Sequence, residues 1–186
     1  MPLTNPVLAD LADAFGISTE FWDWKGRHIE VGDDTVIGIL AGMGVDATSD
    51  DSARAALIDH ALRPWRRPLP PFTVAQAGEP IRVDVHVPAG SPAWVAVRLE
   101  EGGRREGWQV PNVTPDREID GAWVGEATFE LPSDLPLGYH RILLENGERT
   151  FEASLVVTPG FLGFPRAMGA RRVWGYAAQL YSVRSS

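Results

Sequence analysis

From Phe72 to Thr158 apolar side chains recur at every second position, and that period is the strongest constraint on the fold. Ile81, Val83, Val85 and Val87 alternate with Arg82, Asp84 and His86. Val95, Val97 and Leu99 alternate with Trp94, Ala96 and Arg98. Trp123, Ala127, Phe129 and Leu131 alternate with Val124, Glu126, Thr128 and Glu130, and Phe151, Ala153, Leu155 and Val157 with Glu152, Ser154 and Val156. A strand sends successive side chains to opposite faces, so each run is a strand with one face in a core and one in water. Turn residues separate the runs: Pro88 to Pro92, Glu101-Gly-Gly103, Asp120-Gly121, Pro132 to Gly138 and Asn146-Gly147. Asn146-Gly147 reads as a two-residue hairpin turn between Tyr139–Glu145 and Arg149–Val157. Short strands at this spacing predict an antiparallel, immunoglobulin-like β-sandwich of about seven strands over 72–158.

The first 64 residues have a helical period instead. Asn5-Pro6 is a helix start, because Asn caps free amides and Pro at the first position loses no hydrogen bond. Val7, Leu8, Leu11 and Phe15 share a face, and Gly16 supplies the stop. A second helix is expected over about Asp33 to Met43, with Val36, Ile39, Leu40 and Met43 inward and Gly44 closing it. A third starts at Ser49 or Asp50, carries Ala53, Ala56, Leu57 and Leu62, and ends before Pro64. Acidic residues at both starts (Asp33, Asp34; Asp50, Asp51) complement the helix dipole. Between the first two helices, Phe21 to Val31 reads as a turn at Lys25-Gly26 that packs Phe21 and Trp22 or Trp24 over the helices. The prolines of 65–71 predict a stiff linker between the helical subdomain, 1–64, and the sandwich, 72–158.

The last stretch, 159–186, ends in Trp174 to Ser186, again with a strand period. Tyr176, Ala178, Leu180 and Ser182 fall on one side and Ala177, Gln179, Tyr181 and Val183 on the other, which suits a strand covered on both faces. The run Ala178-Gln-Leu-Tyr-Ser-Val-Arg-Ser185 resembles the entry into the catalytic barrel of bacterial 4-alpha-glucanotransferases, the amylomaltases of glycoside hydrolase family 77. Thr35 to Val45 is similar to a helix of the same family's N-terminal region, and Leu135 to His140 looks like a corner of sandwiches attached to starch-active enzymes. The overall class expected is α+β: a helical subdomain, a sandwich and a C-terminal orphan barrel strand. The resemblance implies a non-catalytic accessory region of an enzyme that moves 4-α-glucanosyl units between maltooligosaccharides without a diffusible cofactor. Its partners would be the enzyme's own catalytic barrel and α-glucan.

Composition excludes other classes. Residues 1–64 carry 4 basic and 11 acidic side chains, 65–158 carry 9 and 14, and only 159–186 is basic, with 4 arginines. An acidic body repels phosphate backbones, so no nucleic-acid partner is expected. No apolar run reaches the length of a membrane span, no signal peptide precedes the first helix, and a cytoplasmic location follows as the default. Without cysteine, and with histidines at 28, 60, 86 and 140 lacking ligand spacing, no metal site is expected. Retaining glucan transfer needs two carboxyl groups about 5 Å apart, and no residue of this chain matches the family's nucleophile or acid/base. No catalytic residue is therefore assigned. Trp94 and Trp108 are candidate sugar-stacking residues: alternation puts Trp94 on the face opposite Val95, Val97 and Leu99, Trp108 lies in a segment too polar to be plain core, and pyranose C–H faces are apolar. Tyr181 and Ser182 join them by position, next to the first barrel strand end. Two other readings remain: a stand-alone α-glucan-binding module acting through Trp94 and Trp108, and a purely structural docking domain.

Overall fold

A computed structural model describes residues 3–164, 168, 169, 172 and 174–179. The helical part contains α1 (Pro6–Ala14), a hairpin of β1 (Glu20–Trp22) and β2 (His28–Glu30), α2 (Asp33–Gly42) and α3 (Asp50–Leu62). Asn5 caps α1 as its residue type dictates, its side chain accepting from the amides of Val7 at 2.9 Å and Leu8 at 3.4 Å. Gly16, at a φ of 67°, ends that helix in the left-handed region that glycine tolerates. Leu8, Leu11, Val36, Leu40 and Ala53 form the core. The acidic residues at the helix starts also tie the three helices together. Asp33 accepts from the Thr4 amide at 2.9 Å, and Asn5 donates to Asp50 at 2.6 Å.

Two expectations fail in this part. Ile39 and Met43 are exposed rather than inward, because the buried face of α2 is centred on Val36 and Leu40, one full turn apart, with Ile37 at its margin. Phe21, Trp22 and Trp24 do not cover the helices either. β1 and β2 pair with each other, and the turn between them is held by Asp23, which accepts from the amides of Lys25 and Arg27. Trp24 at the tip is 88% exposed.

The sandwich has nine strands: β3 (Phe72–Gln76), β4 (Ile81–Pro88), β5 (Trp94–Arg98), β6 (Arg104–Glu106), β7 (Trp108–Val110), β8 (Arg117–Ile119), β9 (Ala122–Leu131), β10 (Gly138–Asn146) and β11 (Arg149–Thr158). One sheet runs β3-β11-β10-β5-β6, the other β4-β9-β7 with β8 also on β9. The period-two residues meet as expected: Val83, Val85, Val97, Phe129, Leu131, Ile142, Leu144 and Leu155 fill the space between the sheets. The strand count exceeds seven partly because Gly107 is a corner. The chain leaves one sheet at Glu106 and enters the other at Trp108. A Cβ at Gly107 would lie 2.9 Å from Leu131 Cδ2 and 3.1 Å from two backbone carbonyls, so no other residue turns this corner unstrained.

The sheet is not wholly antiparallel. β3 runs parallel to β11, Val74 facing Val156; alternation fixes faces but carries no strand direction. The β10–β11 turn is shifted by one residue, since Asn146 pairs with Arg149 and the turn residues are Gly147-Glu148. Gly147, at a φ of 60°, supplies the first turn position that a two-residue hairpin of this kind requires. The Asn146 side chain instead donates to Ser91 Oγ and the Pro92 carbonyl.

Residues 65–71 are not a free spacer. Trp65 is buried, Leu69 enters the sandwich core, and the Pro68 carbonyl accepts from the His86 amide at 3.1 Å. The prolines fix φ, but the apolar residues between them find cover on the sheet. At the other end, Trp174–Gln179 show the strand pattern without being a strand: Trp174 and Tyr176 are exposed, their rings edge to face 5.8 Å apart. A strand exists only where a neighbour accepts and donates hydrogen bonds. Tyr181 to Ser186, with candidates Tyr181 and Ser182, lie outside the described residues.

Candidate binding cleft on the four-stranded sheet

A cleft of about 560 Å³ opens where α3 and the proline segment meet the outer face of the four-stranded sheet. Such a volume suits a small ligand. Its sheet wall is built mainly by the outward residues of β4, namely Arg82, Asp84 and His86, with Glu126 from β9, and the start of β3 at Phe72 and Thr73 borders it. Their shared orientation follows from the period of two. His86 and Glu126 are directly opposite in register, as are Asp84 and Thr128.

His86, Glu126 and Asp84 belong to one hydrogen-bonded chain. His86 Nε2 donates to Glu126 at 3.0 Å, and Asn112 Nδ2 donates to Glu126 at 3.1 Å and to Thr128 Oγ1 at 2.8 Å. Thr128 Oγ1 in turn donates to Asp84 at 2.6 Å. The Asn112 carbonyl oxygen accepts from the Thr114 amide at 2.6 Å, which fixes the orientation of its amide group. Trp65 closes the cluster on the helical side, its ring 4.6 Å from the His86 ring, with the Arg117 guanidinium 4.6 Å from the indole centre.

The electrostatics decide what this cluster can do. Burial pushes the Glu126 carboxyl up, but donors from Asn112, Thr114 and His86 outweigh it and hold the group below the usual carboxylate range. Among the described residues every carboxyl group with a displaced pKa is displaced downward: Asp23, Asp33, Asp46, Asp59, Asp120 and Glu126. A glycosidic acid catalyst must be protonated near neutrality, which needs an upward shift. The cluster presents fixed charges and hydroxyl-compatible donors and acceptors beside the Trp65 ring.

Trp108 belongs to this face. It pairs with Glu130, which pairs with Arg82 of the cleft, and it is 48% exposed. Trp94 is 55% exposed but lies on the outer face of the five-stranded sheet, opposite Glu145. The outward faces of two packed sheets point away from each other, so the two tryptophans are not neighbours. Trp65, His86, Asn112 and Glu126 escaped notice as a group because they lie far apart in sequence. The one local sign was a His and a Glu at outward positions of strands that otherwise carry ordinary surface residues. No group of His, Asp and Glu among the described residues has the arrangement of a metal site. No helix among them is long and apolar enough to cross a membrane.

The fold thus defines a class: an immunoglobulin-like β-sandwich fused to a small helical unit through a packed, proline-rich segment. Within that class, residues 68–159 match the MalQ N-terminal beta sandwich domain. Over 181 residues, 97% of its length, the chain is 48% identical to the 4-alpha-glucanotransferases of Mycobacterium bovis and Mycobacterium tuberculosis. The crystal structure of amylomaltase from Corynebacterium glutamicum superposes with a TM-score of 0.79 at 45% identity, over 82% of this chain and 22% of that one. The chain spans about a quarter of the length of the two mycobacterial relatives. It is homologous to the N-terminal region of 4-alpha-glucanotransferases.

Proposed function

We propose that this chain is the non-catalytic N-terminal accessory region of a cytoplasmic 4-alpha-glucanotransferase that transfers 4-α-glucanosyl units between maltooligosaccharides. The observation that carries the reading is the match at 48% identity along 97% of the chain to only a quarter of each relative. In this reading the catalytic barrel is the principal partner, and the junction at Trp65 and Arg66 sets how the helical unit is held relative to the sandwich. Incubating the purified 186-residue chain with maltotriose tests the non-catalytic assignment. Neither glucose nor longer maltooligosaccharides should accumulate; sustained formation of both would contradict it.

One observation favours a second reading, a glucan-holding surface: Trp108 stands exposed in the same row as Arg82 of the cleft. Trp108→Ala should then abolish retention on immobilised maltooligosaccharide, while Trp94→Ala, on the other sheet, should leave it intact. Equal retention of both variants and the parent chain would sink that second reading.

A further inference from the structure

The outer face of the five-stranded sheet is divided in two. On one half, polar side chains satisfy one another. Arg98 takes both carboxylate oxygens of Glu152 at 3.0 and 2.8 Å, Arg104 reaches Glu145 at 2.8 Å, and Arg141 donates to Ser154 at 2.8 Å. On the other half, register places Val74, Val156 and Tyr139 in one row across β3, β11 and β10. Val74 is 60% exposed, Tyr139 is 72% exposed, and Phe72 is exposed one outward position along β3.

The strand that carries this stripe is itself uncovered. β3 reads Phe-Thr-Val-Ala-Gln, without a charge, and among the described residues it pairs on one side only, with β11. Sheet edges are ordinarily blunted by charge, proline or a bulge, and a bare apolar edge pairs or packs with something. The exit from β11 adds to the same surface. Gly160 lies against the Gln76 side chain at the end of β3, and Phe161, Leu162 and Phe164 follow, all exposed, with the two Phe rings 6.2 Å apart.

We infer that the Phe72–Val74–Val156–Tyr139 stripe, continued by Phe161, Leu162 and Phe164, is the surface on which the remaining three quarters of the parent enzyme dock. This rests on the reading that the parent is a longer glucanotransferase. The chain's path after β11 starts beside the stripe, so the segment that follows is tethered there at high effective concentration. A tethered partner needs no charge steering, which accounts for a stripe whose own residues are apolar while the charges beside it, such as Arg141, are paired within the sheet. The polar half of the face, already internally paired, remains in solvent.

Hydroxyl-radical footprinting tests the assignment on the native protein purified from its source cells, with the 186-residue chain as reference. The native mass is read first: a native protein of the reference chain's mass ends the parent reading itself. For a longer native protein, Phe72 and Tyr139 should be oxidised several-fold more slowly than in the reference chain, with Trp123 on the other sheet as internal standard. Equal rates at Phe72 and Tyr139 would overturn the docking surface while leaving the parent reading intact. Concentration-dependent protection of the same residues in the reference chain would assign the stripe to self-association and overturn it as well. Val74→Glu supplies an independent check, because this exposed position should leave thermal unfolding of the 186-residue chain unchanged. In the longer protein it should speed proteolysis between residues 159 and 173; unchanged cleavage would count against docking.

Discussion

Arg66 grips Asp120 with two parallel hydrogen bonds, Nε to one carboxylate oxygen at 2.8 Å and Nη2 to the other at 3.1 Å. The same guanidinium also reaches Asp59 of α3, so one side chain joins the helical unit to the β8–β9 turn of the sandwich. The hydrogen bonds to Asp120 and then Asp59 hold the Arg66 proton more firmly than usual, and Arg66 in turn holds the Asp120 carboxyl below its ordinary range. The pair is largely solvent-exposed, so its role is geometric more than energetic. Arg66→Ala should accelerate amide exchange in α3 with little effect in β10. The gap between variant and parent should narrow as salt is raised, because exposed ion pairs are screened. Unchanged α3 exchange would show that Trp65 and Leu69 alone hold the junction.

Two glycines should respond in opposite directions to alanine. At Gly107 the added methyl meets Leu131 and two carbonyls at a corner between sheets. Gly107→Ala should destabilise the chain by about 1–3 kcal/mol, the usual cost of overpacking. Gly38 sits inside α2 with open space where a Cβ would stand. Gly38→Ala should stabilise by about 0.5–1 kcal/mol, through helix propensity and a less flexible unfolded chain. Urea unfolding of both variants checks the contrast, and a stabilising Gly107→Ala would mean that the corner is not fixed as described.

Glu126 makes stability sensitive to acid. Its carboxyl is depressed in the folded chain, so the stability it contributes is present above the unfolded carboxyl value, about 4.3. That contribution is lost as pH falls through the depressed folded value. The difference in denaturation midpoint between the parent chain and Glu126→Gln should be largest near neutrality and shrink on acidification. A difference that stays constant from neutral pH to below 4 would assign Glu126 a steric role only.

Much of the architecture was legible because burial and periodicity coincide. Ile81 to Val87 alternate in sequence and in the core, and Asn5 caps the helix that its side chain and the following proline announce. What escaped detection was long-range. The parallel sense of β3, the burial of Trp65 and Leu69 in a stretch that reads as a linker, and the exposure of Trp22 and Trp24 all depend on which surfaces meet. Residue type alone places aromatics in cores, and the β1–β2 hairpin overrides that preference by pairing only with itself. The candidate site was half legible: Trp94 is outward as alternation requires and Trp108 is exposed as its polar segment suggests, but only the sheet order separates them onto different faces. The His86–Glu126–Asn112–Thr128–Asp84 chain left only a faint local sign, a His and a Glu at outward strand positions, because its members are brought together by the pairing of β4 with β9.

The central claim is that this chain is one part of a longer glucan-transferring enzyme, and the mass of the native protein tests it most directly. An antibody raised against residues 1–158 should detect, in an extract of the source cells, a protein several hundred residues heavier than the 20.3 kDa chain. A native band near that mass itself would contradict the account and leave a stand-alone binding or docking module.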